Sequence, residues 1–288
     1  MTPLEKRKAL DRIRAEGTYS RAYEDMDFMR RPELRPVRLQ LELLKPETVL
    51  SEHKIKSTIV VFGSARVSSH EESKRRLDEA RHRLSDSPRE AKLKAAVVFW
   101  EMRLRQSRYY EEARKFGQMV SRTQRRKGGL EFVVVTGGGP GIMEAANRGA
   151  YENRGKSIGL NITIPNEQDP NPYISPGLAF QFHYFSLRKM HFMTRAKAMV
   201  AFPGGFGTLD ELFEALTLVQ TGKKRHIPIV LVGREFWKRL LDIEFLVEEG
   251  LVSAVDRKLF SIVDTAQEAW DIIRSCWAKR RNHMEDRL

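Results

Sequence analysis

The chain has 288 residues, of which 41% are hydrophobic and 31% are charged, and its formal net charge is +13. This length can bury one sizeable core with an accessory element. The sequence has one cysteine, Cys276, which excludes an intramolecular disulfide and makes a cysteine-based metal site unexpected. No apolar run approaches the roughly 20 residues of a membrane-spanning helix, and residues 1–8 lack the apolar stretch of a signal peptide. We therefore expect a cytoplasmic protein without a membrane partner.

The positive charge is concentrated in one part of the chain. Residues 57–130 contain 18 Lys or Arg and 9 Asp or Glu, whereas residues 131–288 contain 20 and 19. Such a basic region fits either a solvated helical face or a nucleic-acid or other anionic partner. No zinc-finger, RNP or basic-zipper pattern accompanies it. The solvated face is therefore the favoured interpretation, and a nucleic-acid partner is not expected.

Residues 1–56 differ in pattern from the rest of the chain. Pro32, Pro36 and Pro46 interrupt the periodicity of their apolar positions. We predict an N-terminal extension with one or two helices, lying on the following domain or on a partner subunit, and complete disorder is the alternative. The apolar positions are Met26, Phe28, Leu34, Val37, Leu39, Leu41, Leu43 and Leu44.

The next segment predicts a strand and then helices. Residues 57–63 form an apolar run that is typical of a buried strand. Leu93, Val97, Trp100 and Leu104 mark one face of an amphipathic helix. The predictions are a basic helical hairpin at about 70–107, whose second helix covers 89–107, and a further helix near 109–126.

From residue 131 onward, predicted strands and helices alternate. This alternation predicts an α/β fold, with a mostly parallel sheet covered by helices on both faces. Ligands in such folds bind at the carboxyl ends of strands, where glycine-rich turns occur at 136–141 and 203–208. The predicted strands are 131–136, 156–162, 178–183, 197–202, 227–232 and 259–263, and the predicted helices are 141–154, 185–195, 208–221, 235–248 and 265–280.

The most informative segment is 203–211, Pro-Gly-Gly-Phe-Gly-Thr-Leu-Asp-Glu. It lies between a predicted strand and a predicted helix, where a glycine-rich turn lets backbone N–H groups approach an anion at the helix N-terminus. Thr208 is predicted to cap the helix and to donate its hydroxyl to a phosphate, and Glu211 is predicted to close a Thr-x-x-Glu capping box. A purely structural cap is the alternative role for Glu211.

An Arg-Lys pair lies upstream, at Arg188 and Lys189. Together, R-K-x-x-x-M and PGGxGTxxE resemble the LOG family of phosphoribohydrolases, whose members were long labelled lysine decarboxylases. The glycine-rich segment 137–146 and Val-Phe-Gly-Ser-Ala-Arg at 61–66 are also similar to family elements. The resemblance covers roughly residues 57–275. Runs at 182–185 and 216–223 resemble the longer, type II members, against which the basic helical hairpin is an insertion.

The resemblance implies a fold and a site. The expected fold is a Rossmann-like, doubly wound sheet that forms a catalytic domain over 57–288. Arg188 is similar in position to the family's catalytic arginine, and Glu211 is the candidate for a carboxylate beneath the ribose. A surface ion pair is the alternative for Arg188. The candidate substrate-binding residues are Ser64, Gly138, Gly139, Gly141, Glu167, Lys189, Gly204, Gly205, Gly207, Thr208 and Thr217.

Several of these candidates have an ordinary structural alternative. Lys189 also fits a solvated lysine, and Ser64 an ordinary loop serine. Thr217 also fits a helix threonine that bonds its own backbone. The first glycine-rich turn also fits a tight strand-to-helix connection without ligand contact, and Glu167 is expected to fold over the ligand from a loop.

The resemblance implies hydrolysis of the N-glycosidic bond of a purine nucleoside 5′-monophosphate to free base and ribose 5-phosphate. The usual family name is cytokinin riboside 5′-monophosphate phosphoribohydrolase, but no motif reads the N6 substituent, so AMP and N6-prenylated AMP fit equally. A non-catalytic nucleotide-binding sensor on the same fold is the alternative. The presence of both Arg188 and Glu211 argues against it, because a sensor does not require the glutamate.

No metal or cofactor is expected. Pyridoxal chemistry needs a buried Schiff-base lysine with a pyridinium partner, and no lysine of this chain has that context. The expected partners are the nucleotide substrate and further copies of the chain. We predict at least a homodimer, because the helix 208–221 is apolar on more than one side.

Overall fold

The computed structural model of the protein describes residues 1–126, 128–164 and 169–285. The chain is divided into two compact units, Met1–Glu47 and Thr48–Leu288.

The first unit is built from helices. It contains α1 (Pro3–Ala15), α2 (Met26–Met29) and most of α3 (Arg35–Glu52). Helix α1 begins at a capping box, in which the Thr2 N–H donates to the Glu5 carboxylate at 2.7 Å and the Glu5 N–H donates to the Thr2 hydroxyl at 3.3 Å. Helices α1 and α2 contain no buried residue.

The second unit is built around a parallel sheet, as predicted. Its strands are β1 (Thr58–Phe62), β4 (Val133–Thr136), β5 (Ser157–Ile162), β6 (Ala179–Phe182), β7 (Ala196–Ala201), β8 (Ile229–Val232) and β9 (Phe260–Val263). Within the described residues their order is β6-β5-β4-β1-β7-β8-β9, with every pairing parallel. A separate antiparallel pair joins β2 (Arg125–Arg126) to β3 (Gly129–Leu130).

Helices cover both faces of the sheet and bury two apolar clusters. Along β1, Ile59 and Val61 belong to one cluster, whereas Val60 and Phe62 belong to the other, because successive side chains of a strand point to opposite faces. The remaining helices are α4 (His70–Asp86), α5 (Ala91–Ser121), α6 (Ile142–Glu152), α7 (Phe185–Thr194), α8 (Phe206–Gln220), α9 (Arg234–Leu240), α10 (Ile243–Glu248) and α11 (Ala266–Glu285). The cluster containing Ile59 is closed by α5, α6 and α11, and the cluster containing Val60 by α7, α8 and α9.

The sheet has its topological switch point between β1 and β7. From β1 the chain proceeds outward through β4 and β5 to β6, then returns to β7 and proceeds to β9 at the other edge. Hydrogen bonds join the two carboxyl ends at this point: the Phe202 N–H donates to the Phe62 carbonyl at 2.9 Å, and the Ser64 N–H donates to the Pro203 carbonyl at 3.0 Å. Ligands of doubly wound folds bind at such a point.

The predicted hairpin is present, but the prediction of two helices at 89–107 and 109–126 is wrong. Helix α5 is continuous over 31 residues. Its first half packs antiparallel to α4, and its second half buries Tyr110, Ala113 and Phe116 against the sheet and α6. One helix therefore serves both as an arm of the hairpin and as part of the β1–β4 crossover. No Gly or Pro interrupts it at the point where its contacts change from α4 to α6.

The predicted helix 235–248 is also wrong in one respect, because it is broken into α9 and α10. The break lies at Leu241 and Asp242, and Asp242 caps α10 by accepting a 3.0 Å hydrogen bond from the Phe245 N–H. Among the helices of the described residues, none is long and apolar enough to cross a membrane.

Candidate active site

A cavity of about 730 Å³ lies at the switch point. It is bounded by the loop after β1, the glycine-rich turn before α8 and one face of α5. Its size falls in the range of about 300 to 1,000 Å³ that is typical of small-molecule sites. Its lining includes Ser64, Arg66, Met102, Arg103, Gln106, Tyr109, Gly137, Met143, Arg188, Gly204, Gly205, Phe206, Gly207, Thr208, Glu211 and Phe236.

The turn before α8 differs from the predicted capping box. Helix α8 begins at Phe206 with Gly205 as its N-cap, and the Thr208 N–H already donates to the Gly205 carbonyl at 3.0 Å. Thr208 is therefore inside the first turn and is not the cap, and no reciprocal bond with Glu211 forms. Because the helix starts earlier, both side chains lie on the helical face that lines the cavity.

The glycines of this turn have different roles. A Cβ on Gly204 would lie 2.1 Å from the Thr208 hydroxyl oxygen, so close packing requires glycine there. A Cβ on Gly205 or Gly207 would meet no atom within 4 Å. Their backbone is thus open to the cavity, and the first N–H groups of α8 have no intrahelical acceptor. This end of the helix can bind an anion.

Arg188 and Glu211 meet at one end of the cavity. Arg188 Nη2 lies 3.8 Å from Glu211 Oε1, and the side chains are 15% and 5% exposed. The guanidinium carbon lies 5.1 Å from the centre of the Phe185 ring and 5.7 Å from that of Phe192. Arg188 Nε is buried and has no hydrogen-bond partner within the described residues. The pair therefore forms a largely buried cation–carboxylate element that retains hydrogen-bonding capacity.

Burial raises the pKa of the Glu211 carboxyl to about 7, an effect that the charges of Lys189 and Arg188 oppose. Its carboxylate accepts no hydrogen bond from any described residue, so no donor compensates for the lost hydration. Burial also lowers the pKa of Arg188, although the charge of Glu211 opposes this. Strongly shifted carboxyl groups in clefts are typical of functional sites.

Lys189 supports this arrangement from outside the cavity. Its ammonium lies 2.7 Å from Glu214 Oε2, 2.9 Å from Asp210 Oδ2 and 4.0 Å from Glu211 Oε2. Burial opposes its charge, but hydrogen bonds to Glu214 and Asp210 raise the pKa of Lys189. Lys189 therefore joins α7 to α8 and is not a solvated lysine.

Comparison with known proteins places the chain in a family. The sequence model of the family described as "Possible lysine decarboxylase" matches residues 143–273. A probable cytokinin riboside 5′-monophosphate phosphoribohydrolase of Oryza sativa subsp. japonica is 32% identical over 143 residues, which are 48% of this chain and 66% of that protein. This chain belongs to the LOG family.

A second LOG relative, a cytokinin riboside 5′-monophosphate phosphoribohydrolase of Arabidopsis thaliana, is 36% identical over 140 residues, or 47% of this chain and 63% of that protein. The chain thus spans somewhat less than two thirds of these relatives' lengths. Among solved structures, the molybdenum cofactor binding protein of Rippkaea orientalis is 17% identical over 77% of this chain and 97% of that one, with a TM-score of 0.46.

The structure brings several of the candidate LOG-site residues together. Arg188, Glu211, Thr208 and Ser64 line the cavity, as do the glycines of the second turn, Gly204, Gly205 and Gly207. Ser64 links three elements, because its N–H binds Pro203, its carbonyl accepts from Ile142, and its hydroxyl accepts from the Arg66 N–H at 3.1 Å.

The first glycine-rich turn lies mostly behind the cavity wall, to which it contributes Gly137. Gly138 and Gly141 have φ angles of 75° and 73°, which favour glycine, and a Cβ on Gly141 would lie 2.4 Å from the Ser64 carbonyl oxygen. The Asn171 side chain donates to the Gly138 and Gly139 carbonyls at 3.1 Å each. Gly141 therefore packs the turn against the loop after β1, whereas Gly138 and Gly139 join it to the segment between β5 and β6.

Two other candidates are not part of the cavity wall that the structure describes. Thr217 is exposed, and its hydroxyl donates to the Phe213 carbonyl at 2.7 Å. It therefore has the alternative role of a helix threonine that bonds its own backbone. Glu167 lies outside the described residues.

The basic hairpin contributes a wall of the cavity that no sequence pattern predicted. Met102, Arg103, Gln106 and Tyr109 of α5 line the cavity, and Arg66 faces it from the loop after β1. Arg66 lies within the 61–66 family element, so its proximity to the site could be inferred. The α5 residues had no such signal, because only the fold shows that the hairpin lies over the switch point.

Proposed function

We propose that the protein hydrolyses the N-glycosidic bond of a purine nucleoside 5′-monophosphate, AMP or N6-prenylated AMP, to free base and ribose 5-phosphate. The observation that carries this proposal is the buried Glu211 carboxylate, 3.8 Å from Arg188 and facing the same cavity as the open N-terminus of α8. The names of the LOG relatives support the same reaction class.

The substrate phosphate fits the glycine-rich turn. The N–H groups of the first turn of α8 and the helix dipole favour an anion there. The Thr208 hydroxyl lies on the same wall and has no hydrogen-bond partner within the described residues, so it can donate to a phosphate oxygen. Binding energy from the phosphate would orient the ribose against Glu211.

Glu211 has two roles in the proposed reaction. As the bond between C1′ and the base nitrogen breaks, its electron pair leaves with the base and C1′ gains positive charge, which an ionised carboxylate stabilises. A water molecule, aligned by Glu211, then adds to C1′ and gives one proton to the Glu211 carboxylate, for which a pKa of about 7 is well matched near neutral pH. Glu211 returns this proton to solvent, and the departing base takes a proton from solvent, so that water supplies the hydroxyl of ribose 5-phosphate and the hydrogen of the free base.

Arg188 keeps Glu211 in place and contributes fixed positive charge. Its guanidinium is held between Phe185 and Phe192, so little rotational freedom is lost when it binds a phosphate or ribose oxygen. Lys189, through Asp210 and Glu214, fixes the start of α8 relative to α7. We assign Lys189 as a positioning residue, since it does not line the cavity.

The test is incubation of the purified protein with AMP, N6-isopentenyl-AMP, GMP, IMP, CMP and UMP. Released base is measured by chromatography, and ribose 5-phosphate is measured independently. We expect equimolar products from AMP or its N6-prenylated form, and none from the Glu211→Gln protein. Tight binding of AMP by the wild-type protein without product from any nucleotide would instead identify a nucleotide sensor.

A further inference from the structure

Two arginines face the candidate active site without a counter-charge. Arg66, on the loop after β1, and Arg103, on α5, line the same cavity as Arg188 and Glu211. Glu211 is the single carboxylate among the residues that line this cavity in the described part of the chain, and it is paired with Arg188. Neither Arg66 nor Arg103 forms an ion pair within the described residues. The cavity therefore carries an excess of positive charge.

The Arg103 side chain is held toward the cavity. Its guanidinium carbon lies 4.8 Å from the centre of the Phe99 ring, and one of its nitrogens lies 3.5 Å from the Gln106 side-chain oxygen. Burial, and secondly the charge of Arg66, lower the pKa of Arg103. Two cations that repel each other in one cavity are stabilised when an anion binds between them.

This pair of arginines is separate from the phosphate site assigned to the turn before α8. It comes from the loop after β1 and from the basic hairpin, whereas the first site is built from backbone N–H groups. A second cavity of about 680 Å³ neighbours the first, and the two share Met102, Gln106, Tyr109 and Phe236 as lining residues.

We propose that Arg66 and Arg103 form a second phosphate subsite, and that the preferred ligand is a purine nucleotide with two phosphate groups. The inference rests on the proposed function, because it assigns the first phosphate to the turn before α8. The second phosphate is attached either to the 5′-phosphate, as in ADP, or to a ribose hydroxyl, as in adenosine 3′,5′-bisphosphate. Guanidinium groups are suited to either, since they bind phosphate oxygens in pairs.

The test is calorimetric titration of the wild-type protein with AMP, ADP and adenosine 3′,5′-bisphosphate. We expect at least one bisphosphorylated ligand to bind about tenfold or more tightly than AMP, a difference of about 1.4 kcal/mol. The ligand with the advantage identifies where the second phosphate is attached. Equal affinity for all three ligands would overturn the proposal.

The advantage should disappear in the Arg66→Gln, Arg103→Gln double variant and persist in Arg83→Gln. Arg83 lies on the same hairpin, is exposed and lines neither cavity, so it controls for net charge. The exposed Arg66→Gln alone gives the same comparison if the double variant does not fold. An advantage that persists without these arginines would also overturn the proposal. AMP hydrolysis, measured on the same samples, separates failure of this subsite from failure of the proposed reaction.

Discussion

Arg188 Nη2 lies 3.8 Å from Glu211 Oε1, which is close enough for strong attraction and beyond hydrogen-bond distance. The Glu211 side chain is buried and that of Arg188 is largely buried, yet the Glu211 carboxylate accepts no hydrogen bond from a described residue. The negative charge of Glu211 is therefore balanced by nearby cations, but no hydrogen-bond donor of the protein replaces its lost hydration. This combination leaves its oxygens available for a ribose hydroxyl or a water molecule while the site keeps its electrostatic field.

The Glu211→Gln protein should lose turnover and still bind nucleotide. The amide keeps the size of the side chain but cannot stabilise positive charge at C1′ or accept a proton from water. We expect kcat on AMP to fall by about 100-fold or more, whereas the Kd of AMP should change by less than about tenfold. Single-turnover kinetics and calorimetry measure the two quantities. Near-wild-type kcat would leave Glu211 with a structural role in α8.

The activity should rise with pH through about 7, the pKa of the Glu211 carboxyl. Because this pKa is raised from 4.5, the protonated, inactive form predominates below pH 7. We therefore expect kcat/KM to fall about tenfold for each pH unit below that value and to reach a plateau above it. The measurement is kcat/KM for AMP between pH 5 and 9.

Lys189→Gln should move this inflection to higher pH, because the charge of Lys189 lowers the pKa of Glu211. The ionisation of the AMP phosphate near pH 6 affects wild type and variant equally, so the difference between their profiles reports on the protein. Lys223→Gln removes the same charge from an exposed position and should leave the profile unchanged. An identical inflection in all three proteins would assign the titration to another group.

Much of the fold was predictable because local and tertiary signals agree in it. Buried parallel strands such as β4 are continuous β-branched runs, and glycines follow them where the chain must turn tightly. The family motifs indicated Arg188 and Glu211 as candidate site residues, and the structure places their side chains 3.8 Å apart. The capping preference of threonine predicted that α8 starts at Thr208, but the N-cap is Gly205. Thr208 instead packs inside the first turn against Gly204, where a Cβ atom would leave no room for it.

The contribution of α5 to the site had no local signal. Arg103 and Tyr109 lie on a helix whose sequence shows only amphipathicity, and their position over the switch point depends on how α5 crosses α6. That crossing is set by two small residues far from the site: a Cβ on Gly117 would lie 2.2 Å from the Ala146 carbonyl oxygen, and one on Gly149 1.9 Å from that of Arg114. Such long-range contacts are not readable from a single sequence.

Gly149→Ala should therefore destabilise the protein strongly. The added methyl group cannot avoid backbone atoms of α5, so the two helices must move apart. We expect the free energy of unfolding to fall by about 2 kcal/mol or more, as for an overpacked core. Urea unfolding gives the value, with Gly207→Ala as the matched control, since a Cβ there meets no atom within 4 Å. Equal stability of the two variants would show that α5 and α6 are less closely packed.

The 5′-phosphate should be required, and Gly207→Ala should weaken its binding. Alanine fits the backbone at residue 207, so the free energy of unfolding should rise by no more than about 1 kcal/mol or stay unchanged. Its methyl group, however, occupies the open side of the turn. We expect kcat/KM to be at least about 100-fold lower for adenosine than for AMP, and to fall for AMP in the variant. Comparable kcat/KM values for adenosine and AMP would contradict the assignment of the turn before α8 as the 5′-phosphate site.

Most apolar side chains of helix α8 pack within the subunit, but two aromatic side chains remain exposed. Leu212 and Val219 are buried, and Leu209, Leu216 and Leu218 pack partly against the same cluster. Phe213, by contrast, is 42% exposed, and Phe206, which lines the cavity, is 92% exposed.

We propose that these two phenylalanines contact a second copy of the chain, which completes the cavity wall at Phe206. Burial of exposed aromatic side chains in a self-complementary contact is typical of symmetric dimers. Light scattering at micromolar concentration should give at least twice the chain mass of 33.4 kDa. Phe213→Asp should reduce this mass and lower kcat/KM together, whereas Lys223→Asp, at an exposed position just after the same helix, should change neither. A stable wild-type monomer with full activity would contradict the proposed assembly, because the cavity would then be complete in one subunit.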